Sequence, residues 1–450
     1  MKRNLTSGNV LKTILFFALP YLLSYFLQTL YGMADLFIVG QFYGVDSITA
    51  VSNGSQVMYM LTVILVGLAM GATVTIGRAV GGEKSDDAAA AVGNTITLFL
   101  GLAVVLTGIL LGSVRHIITW IGTPTEAIAG TTQYLTLCFI GIPFITAYNI
   151  ISAIFRGMGD SKSPMYFIGI ACVANIALDY LLIGGLHMGP SGAALATVLS
   201  QTASVGIALF AIRKKQMGIS LKHSDFRPNR RVMGQILKIG FPVAVQDGLI
   251  QVAFMIITVI ANHRGLADAA AVGIVEKIIS ALFIVPSSML ASVSALSAQN
   301  IGAGKHDRAA ETLRYATILT SVYGVLVTIG MELSVHWVLG LFTTDAAVVL
   351  LGCQYMRGYI IDTIFAGVHF SFSGYFAAYG KSYIGFLHNI IAIVLIRVPG
   401  SYLASQWFPD TLLPMGLAAP AGSVLSVLIC VGAYLWLKRK GAWSGQQEKL

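Results

Sequence analysis

Two aspartates stand where a carboxylate is expensive. Asp35 lies deep in an apolar run at about 11–40, and Asp179 lies in another at about 164–186. A charge at the centre of a membrane-spanning helix costs roughly 2.5–3.5 kcal/mol on insertion scales, so its default reading is functional. Gln28, Tyr31 and Asp35 are spaced i, i+3, i+7 and share one helical face. Asn175 stands one turn before Asp179, and Thr197 in the next apolar run brings a hydroxyl to a comparable depth. Two carboxylates, an amide and a hydroxyl suit a hard monovalent cation, which takes oxygen ligands. They suit a proton equally. Asp35, Asn175, Asp179 and Thr197 are therefore expected to converge as a coupling site, the alternative being a polar knot that only ties helices together. Pro20 removes a backbone donor earlier in the first helix and is the expected bend.

The second half has its own intramembrane polar residues: Gln246, Asp247, Gln251, Glu276, Lys277, Asp362 and Arg397. Lys277 and Arg397 are candidate salt-bridge partners of Glu276 and Asp362, and a coupling role is the competing reading. Aromatics and methionines recur along the spans, among them Tyr31, Tyr134, Tyr148, Met255 and Phe283. Most of these pack helices. A subset, with Gln251 and Asp362, is expected to line a cavity that holds flat organic cations through cation–π contact.

The elements that must position these residues follow from composition. Of 450 residues, 56% are hydrophobic and 10% charged, against roughly 25% charged in a soluble domain. So few charges could not cover a soluble protein of this length. With about 20 apolar residues per span, hydropathy gives twelve helices, the first at 11–40, the tenth at 346–376 and the last at 412–437. The sequence thus predicts an all-α polytopic membrane protein. Its net charge of +9 is read as basic cytoplasmic loops rather than a nucleic-acid surface. With both termini placed in the cytoplasm, only Arg115 and Arg264 of the 28 basic residues fall in outside loops, and Lys277, Arg357 and Arg397 fall within spans. The positive-inside rule therefore places both termini in the cytoplasm of an inner or plasma membrane. Four cysteines in apolar stretches read as small buried residues, with no metal cluster expected.

The halves repeat. Arg78-Ala-Val-Gly-Gly-Glu-Lys84 matches Gln299-Asn-Ile-Gly-Ala-Gly-Lys305, and Phe155-Arg-Gly-Met-Gly-Asp-Ser161 matches Phe376-Ala-Ala-Tyr-Gly-Lys-Ser382, both at an offset of 221. The chain is expected to divide into a six-helix lobe (1–211), a basic cytoplasmic linker (212–234) and a second six-helix lobe with a short cytoplasmic tail (235–450). Two parallel six-span halves imply pseudo-twofold symmetry about the membrane normal and alternating access. No Walker-type phosphate loop, zinc-protease motif or nucleophile elbow occurs, so neither a nucleotide-driven pump nor an enzyme is supported.

Four stretches together resemble the multidrug and toxic compound extrusion (MATE) family. They are Ala18-Leu-Pro20 through Gln28 to Gly32-Met-Ala-Asp-Leu-Phe-Ile-Val-Gly40, Phe155–Ser161, Asn175-Ile-Ala-Leu-Asp179 with Gly189–Thr197, and Gly302-Ala-Gly-Lys305. The resemblance implies two six-helix bundles around a central cleft. It implies a secondary antiporter that exports amphipathic organic cations against inward Na⁺ or H⁺, without a cofactor. It also implies a cation cluster of Asp35, Asn175, Asp179 and Thr197 with Gln28 nearby, and Pro20 as the bending proline. Sodium-coupled members often carry a span-7 glutamate, and the nearest match here is Gln251. Asp362 lies about a turn from their span-10 aspartate, so no second-lobe ion site is carried over. A lipid-linked precursor flippase is the alternative on the same architecture, and a channel a further one. Membrane lipids are the expected surroundings, and a complete internal repeat makes a monomer sufficient.

Overall fold

The computed structural model describes residues 5–215 and 220–441. Lys2, Arg3 and Lys449 of the charge argument lie outside these residues, as does the tail beyond Gly441. Among the described residues there is no strand. The helices are α1 (Val10–Phe42), α2 (Val45–Gly81), α3 (Ser85–Trp120), α4 (Ile128–Ile140), α5 (Ile142–Gly157), α6 (Lys162–Asp179), α7 (Gly189–Lys215) and α8 (Arg230–Arg264). They continue as α9 (Leu266–Leu282), α10 (Ile284–Gly302), α11 (His306–Gly340), α12 (Ala346–Ile360), α13 (Asp362–Ala378), α14 (Ser382–Ala392), α15 (Val398–Trp407) and α16 (Leu413–Arg439). By length and composition ten helical stretches can cross a membrane unbroken, and α4 with α5, bent by 50°, makes an eleventh. The tenth expected span is α12 and α13, each shorter than a full span and parted at Ile361. Trp120, Trp337, Trp407 and Trp436 are all exposed near helix ends, as interfacial anchors are.

The first compact unit holds Leu19–Gly240, and the second holds Leu5–Ala18 with Phe241 onward. The two crossings within the described residues thus fall within two residues of a proline. Pro20 lies inside α1 and Pro242 inside α8, and both helices run on through them. At Pro20 the carbonyl is occupied by the Ser24 hydroxyl at 2.8 Å.

Hydrogen bonds tie each short exchanged segment down. In the first unit, Asn94 of α3 donates to the Asp225 carbonyl at 3.1 Å and accepts from the Asn229 N–H at 2.7 Å, while Thr97 donates to the Phe226 carbonyl at 2.8 Å. This part of the expected linker therefore packs on α3. In the second unit, Lys305 and Arg308 donate to the Thr6, Ser7 and Gly8 carbonyls at 2.7–2.8 Å. Within the first unit α8 also approaches α2 closely, because a Cβ on Gly71 would strike the Ile236 and Gly240 backbone.

The sequence repeat is a backbone repeat. After α5, the N–H of Asp160 bonds to the Phe155 carbonyl, and after α13 that of Lys381 bonds to Phe376, both at 2.8 Å. After α2, Lys84 bonds to Ala79, and after α10, Lys305 bonds to Asn300, at 3.0 and 2.8 Å. These are Schellman closures, which need a left-handed residue just past the helix. Gly159, Gly380 and Gly304 supply it at φ 89°, 68° and 71°, while the fourth position is Glu83 at φ 56°.

Candidate functional site: a buried pair of carboxylates

Helices α1, α6 and α7 bring the sequence-predicted coupling residues together inside the first unit. Asp35 is 2% exposed, Asn175 1% and Asp179 0%. The Thr197 hydroxyl on α7 donates to Asp35 Oδ2 at 3.3 Å, and Asp179 and Asn175 lie close to the same carboxyl. Asp179 ends α6 where the backbone widens into a π-helical turn over Tyr180–Gly185. Such turns interrupt the regular ladder and are frequent at functional sites.

The site is short of partners. Asp35 Oδ1, both Asp179 carboxyl oxygens and both polar atoms of the Asn175 amide have no hydrogen-bond partner. Buried polar groups are almost always satisfied, so such a set calls for an explanation. The ion pairs found among the described residues involve neither aspartate. Two carboxyl groups side by side in a low-dielectric interior require a positive partner. Since no fixed one is present, an exchangeable proton or a monovalent cation on these oxygen donors fits the chemistry.

Gln28 is half-buried on the same helix as Asp35, with no hydrogen bond to Asp35 or Asp179. Sequence reasoning missed Gln201, one turn after Thr197 on α7. It is 4% exposed, faces the Tyr31 hydroxyl and keeps its Oε1 without a partner. The signal was present as Thr197-x-x-x-Gln201, one helical face.

The second unit handles its charges differently, and two expectations are corrected here. Glu276 and Lys277 do not pair. Adjacent residues point to different sides of a helix, so Lys277 is exposed while Glu276 accepts from the Thr258 hydroxyl at 3.1 Å. Arg397 and Asp362 form no ion pair within 4.0 Å either. The Arg397 guanidinium donates to the Tyr359 hydroxyl and lies 5.0 Å from the Phe254 ring centroid. It stays within electrostatic reach of Asp362 and Glu276. Arg397 closes a second π-helical turn, Ile393–Arg397. Arg357 pairs instead with Glu332 at 3.4 Å on the surface of the unit.

Comparison with known proteins decides the lineage. The MatE family model matches this chain twice, over residues 20–181 and 242–403. The chain belongs to the MatE family. The two matches stand 222 residues apart, so the family unit is the repeat itself. The chain is 27% identical to the probable multidrug resistance protein YoeA of Bacillus subtilis, over 96% of this chain and 95% of that one. It is 24% identical to the FAD transporter of Shewanella oneidensis, over 95% of each. A solved outward-facing multidrug resistance MATE family transporter of the MOP superfamily matches with TM-score 0.89 and 21% identity, covering 98% and 97% of the two chains. The MatE fold accordingly has twelve helices in two bundles. Members of this family are transporters rather than enzymes, and the chain's apolar helices make it a multi-pass membrane protein.

In this MatE protein the residues expected to line a cavity part company. Tyr134 and Tyr148 are each 2% exposed inside the first unit, their hydroxyls placed against Ser55 Oγ (3.1 Å) and the Pro164 carbonyl (3.5 Å). Each lies in a buried apolar cluster of that unit. Tyr31 is half-buried beside Asp35. In the second unit Met255 is exposed, Gln251 and Phe283 are half-buried and Asp362 is sealed at 0%. Phe283 meets Phe370 edge-on at 6.3 Å.

Proposed function

We propose that this MatE protein is a secondary antiporter that exports small amphipathic organic cations in exchange for inward H⁺ or Na⁺ by alternating access. The observation that carries the reading is the Asp35–Asp179 pair, buried together with oxygen atoms that no protein group satisfies. In one orientation the ionised pair favours a cationic substrate nearby. In the other, a proton or Na⁺ neutralises the pair, releases the substrate and permits the return. Asn175 and Thr197 supply the remaining oxygen ligands, and Gln28, Gln201 and Tyr31 flank the site; in the second unit, taken by itself, Gln251, Met255 and Phe283 are the candidate substrate contacts. Pro20 and Pro242, next to the crossings between units, are the places to flex.

The energetics favour two carboxylates over one. Moving one charge against 100 mV costs about 2.3 kcal/mol, so a divalent cation leaving an inside-negative cell costs about twice that. One incoming monovalent ion offsets half of it, and two carboxylates can load two. The positive-inside pattern supports cytoplasmic termini in a plasma membrane. The internal repeat supports a functional monomer surrounded by lipid.

The test is uptake of a fluorescent organic cation by proteoliposomes under a pH gradient or a Na⁺ gradient, imposed separately. Uphill movement under one of them names the coupling ion. Absence of movement under both, from folded protein, rejects cation antiport. Flavin dinucleotide and lipid-linked precursors are then the next substrates to assay, the first because a relative carries that name.

A further inference from the structure

The two buried histidines of the chain meet in the second unit, and the antiport step above uses neither. Of eight histidines, only His369 on α13 and His388 on α14 are buried, at 5% and 0% exposure. Their ring centroids lie 5.4 Å apart, edge to face. His388 Nε2 shares a 2.9 Å hydrogen bond with Ser373 Oγ, and His369 Nε2 a 3.4 Å one with Ser423 Oγ. The Nδ1 atom of each ring has no partner. Ser423 also lies near Asp362, whose two oxygens have no hydrogen-bond partner. Asp362 and His369 stand i, i+7 on α13 and so share its face. Beyond Ser373 this row of polar groups reaches α8, since a Cβ on Gly385 would lie 3.0 Å from Gln246 Oε1 and 3.3 Å from Ser373 Oγ.

We propose that Asp362, His369 and His388 form a second proton-binding site, separate from the Asp35–Asp179 pair. A neutral imidazole has one donor and one acceptor nitrogen. With each Nε2 engaged by a serine, each ring keeps an unused Nδ1 in a dry interior. With Asp362 ionised and both rings neutral, the three groups carry one negative charge between them, beside the fixed positive charge of Arg397. One added proton, on an imidazole or on the carboxyl, brings the sum over the three to zero, and its loss returns the charge.

The surroundings leave this balance to few groups. Helix α10 has no titratable side chain. Helix α11 presents Thr320 against Gly367 and carries no charged residue between Arg314 and Glu332. Helix α16 offers only Cys430 and Tyr434 before its basic end, and α14 adds Tyr383. Arg397 from the π-helical turn acts on both His369 and Asp362, and Tyr359 holds that guanidinium. Asp247 follows Gln246 on α8, and Glu276 reaches the cluster through Arg397.

The inference deepens the ion-coupled reading, and its test does not need a substrate. The protein, ring-¹⁵N-labelled at histidine and held in lipid bilayers, is titrated from pH 8 to pH 5 by solid-state NMR. The exposed histidines exchange freely with solvent, and the buried pair is assigned by His369→Gln and His388→Gln. The expected result is that the two protected rings change protonation together, taking up one proton between them. In Asp362→Asn their midpoint falls by a pH unit or more, because the added proton then leaves a net charge. A purely structural pair keeps one neutral signature over the whole range in wild type, which needs no variant and overturns the proposal. A midpoint unmoved by Asp362→Asn overturns the part of the proposal that assigns Asp362 to the site. Gradient-driven transport with a silent pair would sink this inference alone. A titrating pair in a protein that moves no cation would sink only the antiport reading.

Discussion

The two halves of this protein share a backbone and have exchanged their chemistry. Each fifth span opens into a π-helical turn, Tyr180–Gly185 in the first half and Ile393–Arg397 in the second. The first follows an aspartate, and the second ends in an arginine. At the loop offset of 221, Asp35, Asn175, Asp179 and Thr197 correspond to Ile256, Ile396, Gly400 and Ala418. In the other direction, Asp362, His369, His388 and Arg397 correspond to Gly141, Tyr148, Phe167 and Ile176. At that offset neither polar set has a counterpart in the other half. The first unit leaves its buried carboxyl groups without a fixed cation, which makes room for an exchangeable one. The second supplies its own cation in Arg397, tied to Tyr359 and Phe254. A duplicated scaffold thus carries one buried acidic site without a fixed cation and one with an arginine beside it.

The comparison breaks most sharply at Asp179. Asp179→Asn removes one of two carboxyls at constant shape and is expected to lower gradient-driven efflux at least tenfold while leaving the protein folded. Transport and size-exclusion profiles measured side by side check both parts. Equal efflux would mean that the pair is structural.

The second unit should respond through stability first. Arg397→Leu strands the Tyr359 hydroxyl and leaves Asp362 and Glu276 without their nearby cation. A loss of about 1–3 kcal/mol is expected for such unsatisfied groups, read as a lower thermal midpoint in detergent. Asp362→Asn on top of it should restore part of the loss.

The exchanged segments give a smaller effect. Asn94→Ala removes two hydrogen bonds to 225–229 and is expected to cost about 1–2 kcal/mol. Early protease cleavage within 216–230 would report it. The smallest effect belongs to Glu83, the non-glycine among four equivalent left-handed turns. Glu83→Gly relieves a Cβ clash worth roughly 1–2 kcal/mol, less the added chain entropy of glycine. A rise in stability of about 0.5 kcal/mol is the expected net.

Much of this was legible in the sequence because membrane burial makes polar residues conspicuous. Asp35, Asn175, Asp179 and Thr197 stood out as polar atoms in apolar runs, and the structure brings them within reach of one another. The repeat was legible because loop turns with glycine at a fixed place survive in both halves. The pairings were less legible. Lys277 follows Glu276 in sequence yet leaves the helix on another side, and the guanidinium of Arg397 finds a phenol rather than the expected carboxylate. His369 and His388 sit in different helices, and their spacing along the chain says nothing of an edge-to-face contact. Gln201 was hidden by its neighbours, in a helix where serine and threonine are common.

The most direct test of the central claim sets Asp35→Asn beside wild type in proteoliposomes. Downhill exchange of a fluorescent organic cation is followed first, then its uphill accumulation under the effective ion gradient. The account predicts that the variant keeps exchange and loses accumulation, because the protein can still move but no longer loads its coupling ion. Accumulation equal to wild type would contradict it.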